Sequence, residues 1–193
     1  MTSLSLMDCS FLLLLSTTAC SLDCHFQRSS SNREILQHLE NLGGKFPLGC
    51  LKDRNNFKFL QVSKADEFRK ESALVVIQEM QQQIFNAFNL NVSQSSWDES
   101  SLERFLSALY QQMEKTEMCL EQEIRKEGHS SLQRKNTRLE IKKYFQGIHD
   151  YLEDQKYSHC AWEVVRVEIR RCFLFIEQLT RRLKDQEIGQ LHN

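Results

Sequence analysis

The 193-residue chain predicts an all-α fold, a bundle of five helices, on three observations. Apolar side chains recur at steps of three and four along five separate segments, the spacing that lines one face of an α-helix, and no stretch alternates strongly with period two. One proline and six glycines leave those segments almost unbroken. Hydrophobic residues make up 40% and charged residues 26%, enough apolar mass to bury one core and ordinary for one domain.

Ahead of the helices, Phe11 to Leu15 is an apolar run followed by the small polar stretch Ser16 to Ala19, the pattern of a secretory signal peptide. The run is too short to span a bilayer. Residues 1–23 are read as the signal and 24–193 as the folded domain. Within that span, cleavage after Ser21, with Ala19 two residues ahead of it, fits the small-residue rule better than cleavage after Asp23. No second hydrophobic span follows, so the product is expected to be secreted. Disulfides are then expected. Cys9 and Cys20 leave with the signal, and Cys24, Cys50, Cys119, Cys160 and Cys172 remain. Cys172 falls on the apolar face of the last helix beside Ile169 and Phe173, which reads as a buried free thiol. The other four allow three pairings.

The helices follow in order. Ser31 with Glu34 forms a capping box, and Ile35, Leu36, Leu39 and Leu42 give a stripe that stops at Gly43 and Gly44, a first helix of about three to four turns. From Lys45 to about Arg69 the pattern dissolves around Pro47, Gly49, Asn55 and Asn56, a long crossover loop that needs an anchor. Ala73, Leu74, Ile77, Met80, Gln81, Ile84, Phe85 and Phe88 mark a second helix from Glu71 to Leu90. The polar segment Asn91 to Asp98 holds the triplet Asn91-Val92-Ser93, an N-glycosylation acceptor expected in a surface loop. Ser100 with Glu103 is a second capping box, and Leu102, Phe105, Leu106, Leu109, Met113 and Leu120 carry the third helix toward Gly128. Leu139, Ile141, Tyr144, Phe145, Ile148 and Leu152 mark the fourth, ending near Asp154. After the hinge Gln155 to Tyr157, the fifth runs from Ser158 to Lys184 with Trp162, Val165, Ile169, Cys172, Phe173, Ile176, Leu179 and Leu183 on its core face. Short connections favour antiparallel neighbours and a long one permits a parallel pair, the layout of a cytokine-type bundle.

On the opposite side of the fifth helix, 100° per residue collects Glu163, Val167, Arg170, Arg171, Leu174, Gln178 and Arg181. Two apolar residues one heptad apart among arginines is the composition enriched at protein interfaces. A net charge of −1 argues against a nucleic-acid partner held by phosphate neutralisation. No Glu-x-x-His pair, nucleophile elbow, P-loop or dinucleotide fingerprint occurs, and the histidines and cysteines lack zinc spacing. The chain therefore reads as a binding protein and not an enzyme, with no cofactor and no metal.

At Cys160 to Arg171, CAWEVVRVEIRR, the sequence resembles the type I interferons. CLKDRNNF from Cys50, EMQQQIFNAF from Glu79, LYQQ from Leu109, KKYFQGIHDYL from Lys142 and YSHCAWE from Tyr157 occur in the family's order and spacing. STTA and FQRSS are similar to the beta branch, Cys24 and Cys119 to the alpha and omega branches, and RRCF to the epsilon branch. The resemblance implies a five-helix up-up-down-down cytokine bundle with a long first crossover loop, and two disulfides, Cys24 with Cys119 and Cys50 with Cys160.

It also implies a secreted monomer that bridges the two chains of the interferon alpha/beta receptor and triggers Janus kinase/STAT antiviral signalling, without inserting into a membrane. Carried over by position, the high-affinity receptor chain would meet Leu51, Arg54, Arg166, Val167, Arg170, Arg171 and Leu174. The low-affinity chain would meet Phe85, Asn86, Tyr110 and Lys142 on the far side. Leu106 and Gly147 depart from the alpha branch, which has an aromatic residue and an arginine there. The alternative readings are a receptor antagonist with one intact face, or another secreted helical carrier or metal-binding protein.

Overall fold

The computed structural model describes residues 30–59, 69–91, 95, 97–127 and 131–191. Among these residues there are five α-helices, α1 (Ser30–Gly43), α2 (Lys70–Asn91), α3 (Glu99–Glu127), α4 (Ser131–Asp154) and α5 (His159–Leu191). A short 3-10 turn, Leu48–Asp53, interrupts the first connection, and no strand occurs among the described residues. The fold is the all-α bundle that the apolar periodicity predicts. The expected signal segment and Cys24 lie outside the described residues.

Helix directions follow from the residues that touch. Asn32 reaches Thr180 while Glu40 meets Arg170, so α1 and α5 run antiparallel. Lys70 pairs with Glu123 while Phe88 packs on Phe105, so α2 and α3 run antiparallel. Glu71 binds Arg134 and Glu79 binds Arg138 and Lys142, so α2 and α4 run parallel, zipped by acidic groups on one and basic groups on the other. Trp97 lies against Trp162 and Phe105 against Phe173, which makes α3 and α5 parallel. Helices α1, α2, α3 and α5 thus run up, up, down and down, and α4 is laid beside α2.

Helix α2 is the central element. Ala73, Leu74, Val75, Val76, Ile77, Met80, Ile84, Ala87 and Phe88 are all buried, because α3, α4 and α5 cover it from several sides. A helix enclosed this way is apolar around most of its circumference and not along one stripe. Its polar exceptions are paired or buried amides: Glu71 and Glu79 meet basic groups on α4, whereas both amide atoms of the fully buried Gln81 have no partner.

Caps account for the ends. Gly44, at φ 63°, takes the left-handed conformation just past α1, and its N–H donates to Glu40 O at 2.8 Å, closing the helix where the sequence predicts. Helix α3 begins one residue before the expected capping box. Asp98 Oδ2 accepts from the Ser101 N–H at 2.9 Å and from both the Ser100 and Ser101 hydroxyls, so Asp98 and not Ser100 is the N-cap. Those three hydrogen bonds hold the Asp98 carboxyl below its usual pKa. Ser158 caps α5, accepting from Ala161 N–H at 3.2 Å.

Three expectations are corrected. Leu139, assigned to the core stripe of α4, is 51% exposed, since it lies nine residues before Ile148 and so half a turn away from that buried face. Asn91 is the last residue of α2 and not part of a loop, and the rest of its triplet lies outside the described residues. The segment before α3 is not wholly a polar surface loop. Trp97 stacks on Phe88 at 5.7 Å and meets Trp162 edge-on at 5.6 Å, plugging that end of the bundle.

Candidate functional site

The crossover loop is fastened at three points to the helices it passes. Cys50, in the 3-10 turn, is disulfide-bonded to Cys160 in the first turn of α5, closing a separation of 110 residues. Three residues beyond Cys50, Asp53 O accepts from the Tyr151 hydroxyl at 2.7 Å, and the buried ring of Phe57 packs edge-on against that tyrosine at 5.2 Å. Phe59 is set between Tyr144 and Phe175, edge-on to both at 5.6 and 5.5 Å. A loop that carries little regular structure is thereby held against α4 and α5. Cys119 is also disulfide-bonded, and Cys172 is a buried free thiol, as its place on the apolar face predicts. Burial pushes the Cys172 pKa up to about 12, so the thiolate is scarce at neutral pH.

Beneath the junction of α1 and the loop lies an ion pair with almost no exposure. Glu163 is 0% and Arg166 4% exposed, and Arg166 donates to Glu163 Oε2 through Nη2 at 2.7 Å and Nε at 3.2 Å. The same Nη2 reaches Gly44 O at 2.9 Å, while Trp97 Nε1 donates to Glu163 Oε1 at 2.9 Å. Gly43 makes room for this pair: a Cβ there would stand 2.2 Å from Glu163 Oε1. Both residues correct the sequence reading. The helical wheel puts Glu163 on the wet face and the family resemblance gives Arg166 a partner contact, but the C-terminus of α1 covers that stretch of α5 and turns the two into an internal staple.

The remaining candidates on α5 are outward. Val167 and Leu174 are 45% and 43% exposed, and Arg170 and Arg171 lie between them on the surface. Arg170 Nε is 3.1 Å from Glu40 Oε1, an exposed pair that links α5 to α1. Arg171 stands with its guanidinium carbon 4.3 Å from the Phe59 ring centroid and Nη1 3.6 Å from Glu168 Oε1. Across the disulfide, Leu51 is 43% exposed, and Arg54 lies over the Phe46 ring at 5.5 Å. The bundle therefore brings Leu51, Arg54, Val167, Arg170, Arg171 and Leu174 to the side formed by the loop and α5, three aliphatic side chains set among three arginines. Sequence reasoning missed Glu40, Phe59 and Glu168, which hold those arginines. Phe59 stood in an aperiodic loop, and the two acids carried no pattern of their own.

The second group spreads over α2, α3 and α4. Phe85 is half-buried against Tyr110, with ring centroids 6.0 Å apart, and the exposed Tyr110 hydroxyl is hydrogen-bonded to Glu114, which raises its pKa. Asn86 accepts from Gln82 Nε2 at 3.1 Å, and Lys142 Nζ is 3.9 Å from Glu79 Oε1. Among the described residues no cluster of three His, Cys, Asp or Glu is arranged to hold a metal ion, and no helix is long and apolar enough to cross a membrane.

The sequence profile of the interferon alpha/beta domain matches residues 24–183. This chain belongs to the type I interferon family. Human interferon alpha-14 is 41% identical over 173 residues, spanning 88% of this chain and 91% of that one. Human interferon epsilon is 42% identical across 90% of this chain, with 85% of its own length matched, and interferon beta of Tachyglossus aculeatus aculeatus is 43% identical across 80%, with 82% matched. Near-equal identity to three branches agrees with the mixture of branch-like motifs along the chain. Among solved structures, zebrafish interferon 2 superposes with a TM-score of 0.63 at 22% identity, covering 78% of this chain and 97% of that one, which matches the fold. As a type I interferon the protein is a cytokine, a class that acts by binding.

Proposed function

We propose that this interferon is secreted after loss of its N-terminal segment, bridges the two chains of the interferon alpha/beta receptor as a monomer, and triggers Janus kinase/STAT antiviral signalling. The observation that carries the reading is the outward set Val167, Arg170, Arg171 and Leu174 beside Leu51 and Arg54, on a loop that the Cys50–Cys160 bond ties to the same helix. Exposed aliphatic groups ringed by arginine form a binding surface for a receptor chain, and that surface is the high-affinity site. Phe85, Asn86, Tyr110 and Lys142 form the weaker site. Once the first chain is engaged on a membrane, the second is recruited at high effective concentration, so a weak second face suffices. Cys24 pairs with Cys119, and Asn91 carries a glycan.

A reporter assay on receptor-positive and receptor-deficient cells tests this. The response should vanish in deficient cells. Arg170→Ala with Leu174→Ala should weaken binding to the high-affinity chain at least ~30-fold while helicity by circular dichroism stays unchanged. Unaltered affinity would remove this face from the site. Cell binding without reporter induction would instead identify a receptor antagonist.

A further inference from the structure

Arg171, on the outward face, is supported from two sides. Its guanidinium lies over the Phe59 ring at 4.3 Å, and Nη1 faces the Glu168 carboxylate at 3.6 Å. Glu168 is itself buried, 8% exposed, and it accepts a short hydrogen bond from the Tyr144 hydroxyl of α4. The Tyr144 proton is committed to that carboxylate, so the Cys172 thiol, 3.5 Å from the same oxygen, is the donor in the other contact. Tyr144 also meets Phe59 edge-on at 5.6 Å. One buried tyrosine thus holds both supports of Arg171: the carboxylate through its hydroxyl and the aromatic platform through its ring.

We propose that Tyr144 is a positioning residue for receptor recognition, presetting Arg171 through Glu168 and Phe59 before any partner arrives. The inference rests on the assignment of the α5 face as the high-affinity site. Tyr144 and Glu168 are too buried to form a surface contact of their own, so their effect on binding passes through Arg171. A long side chain already confined to its bound orientation has less rotamer freedom left to lose on association. Without its donor, Glu168 reorients toward other partners or water, and the guanidinium loses its nearest anion.

Tyr144→Phe keeps the ring and removes only the hydroxyl. Affinity for the purified high-affinity receptor chain is measured by surface plasmon resonance for the wild type, Tyr144→Phe, Arg171→Ala and the double variant. Loss of the hydroxyl should weaken binding about 3- to 10-fold in the wild-type background and less than about 2-fold once Arg171 is alanine. Glu168→Gln, which keeps the acceptor but removes the charge, should behave in the same way and serves if the tyrosine variant folds poorly. A destabilised bundle would lower affinity equally in both backgrounds, and that result overturns the proposal. So does a neutral Tyr144→Phe where Arg171→Ala is severe. No loss on Arg171→Ala removes that arginine from the contact and overturns the proposal, whereas the Arg170→Ala with Leu174→Ala variant decides the face itself.

Discussion

Replacing Arg166 by methionine removes a guanidinium that is 4% exposed and leaves the Glu163 carboxylate, at 0% exposure, with the Trp97 N–H as its remaining donor at 2.9 Å. Removing one partner of a buried ion pair costs about 3–5 kcal/mol, because the other charge stays desolvated without its counter-ion. The second bond lost, from Nη2 to Gly44 O, adds little, since Gly44 is exposed and water can replace the donor. Methionine fills most of the vacated stem volume, so the cavity contribution is small. The expected loss is therefore about 3–5 kcal/mol, a large part of the ~5–15 kcal/mol that holds a typical domain. Urea unfolding with the disulfides intact should show the midpoint falling and the slope unchanged.

The double variant Glu163→Gln with Arg166→Met separates the ion from the packing. A neutral amide can still accept from Trp97 and needs no counter-charge, so the pair should cost less than Arg166→Met alone. Receptor affinity of the folded fraction should stay close to wild type for both, because neither group reaches the surface. A loss under about 1 kcal/mol, the range of an exposed pair, would refute the staple. A fall in affinity as large as that of Arg170→Ala, with stability intact, would return Arg166 to the contact surface.

Three further outcomes follow from burial and capping. Gln81→Met should stabilise the protein by about 1–2 kcal/mol, because it replaces a buried amide lacking partners with an apolar chain of similar shape; calorimetry decides, and a lowered melting temperature would mean the amide is hydrogen-bonded within the bundle. Cys172, with its pKa raised to about 12 by burial, should resist a thiol-specific disulfide reagent in the native protein and yield one thiol equivalent in denaturant, whereas native labelling would show that the α4–α5 seam opens. Asp98 has a lowered pKa in the fold, so its cap contributes fully above the unfolded value near 3.8 and is lost as pH falls through the lower folded value. Asp98→Asn should flatten that part of the acid unfolding curve, measured between about pH 2 and 6, and an unchanged curve would remove the cap from the acid response.

The apolar side of α5 was legible residue by residue, and its wet side only in part. Trp162, Val165, Ile169, Cys172, Phe173, Ile176, Leu179 and Leu183 are all buried, and Val167, Arg170, Arg171, Leu174, Gln178 and Arg181 are all exposed. The failures cluster in one place. A 100° wheel divides a helix into one dry and one wet half, which holds where neighbours cover only one side. Near its start α5 is also covered by the end of α1 and the plug at Trp97, and there Glu163 and Arg166 become interior. Only a glycine without a Cβ lets α1 approach so closely, yet Gly43 reads in sequence as a helix stop and nothing more.

The same limit explains why the family motifs mark the proposed receptor face without showing how it is held. Charge and periodicity describe a residue against its own helix, whereas Arg171 is oriented by Phe59 from the loop and by Tyr144 from α4, acting through Glu168. Those partners are 112 and 27 positions away in the chain, and no local pattern encodes their meeting. The Cys50–Cys160 bond narrows the search, because it places the residues after Cys50 along α5, and Phe57 and Phe59 are the aromatic groups within reach. An anchor of this kind does two jobs at once. It lowers the entropy of an aperiodic loop, and it delivers the ring on which the outward arginine rests, so loop order and receptor affinity should fall together when the disulfide is removed.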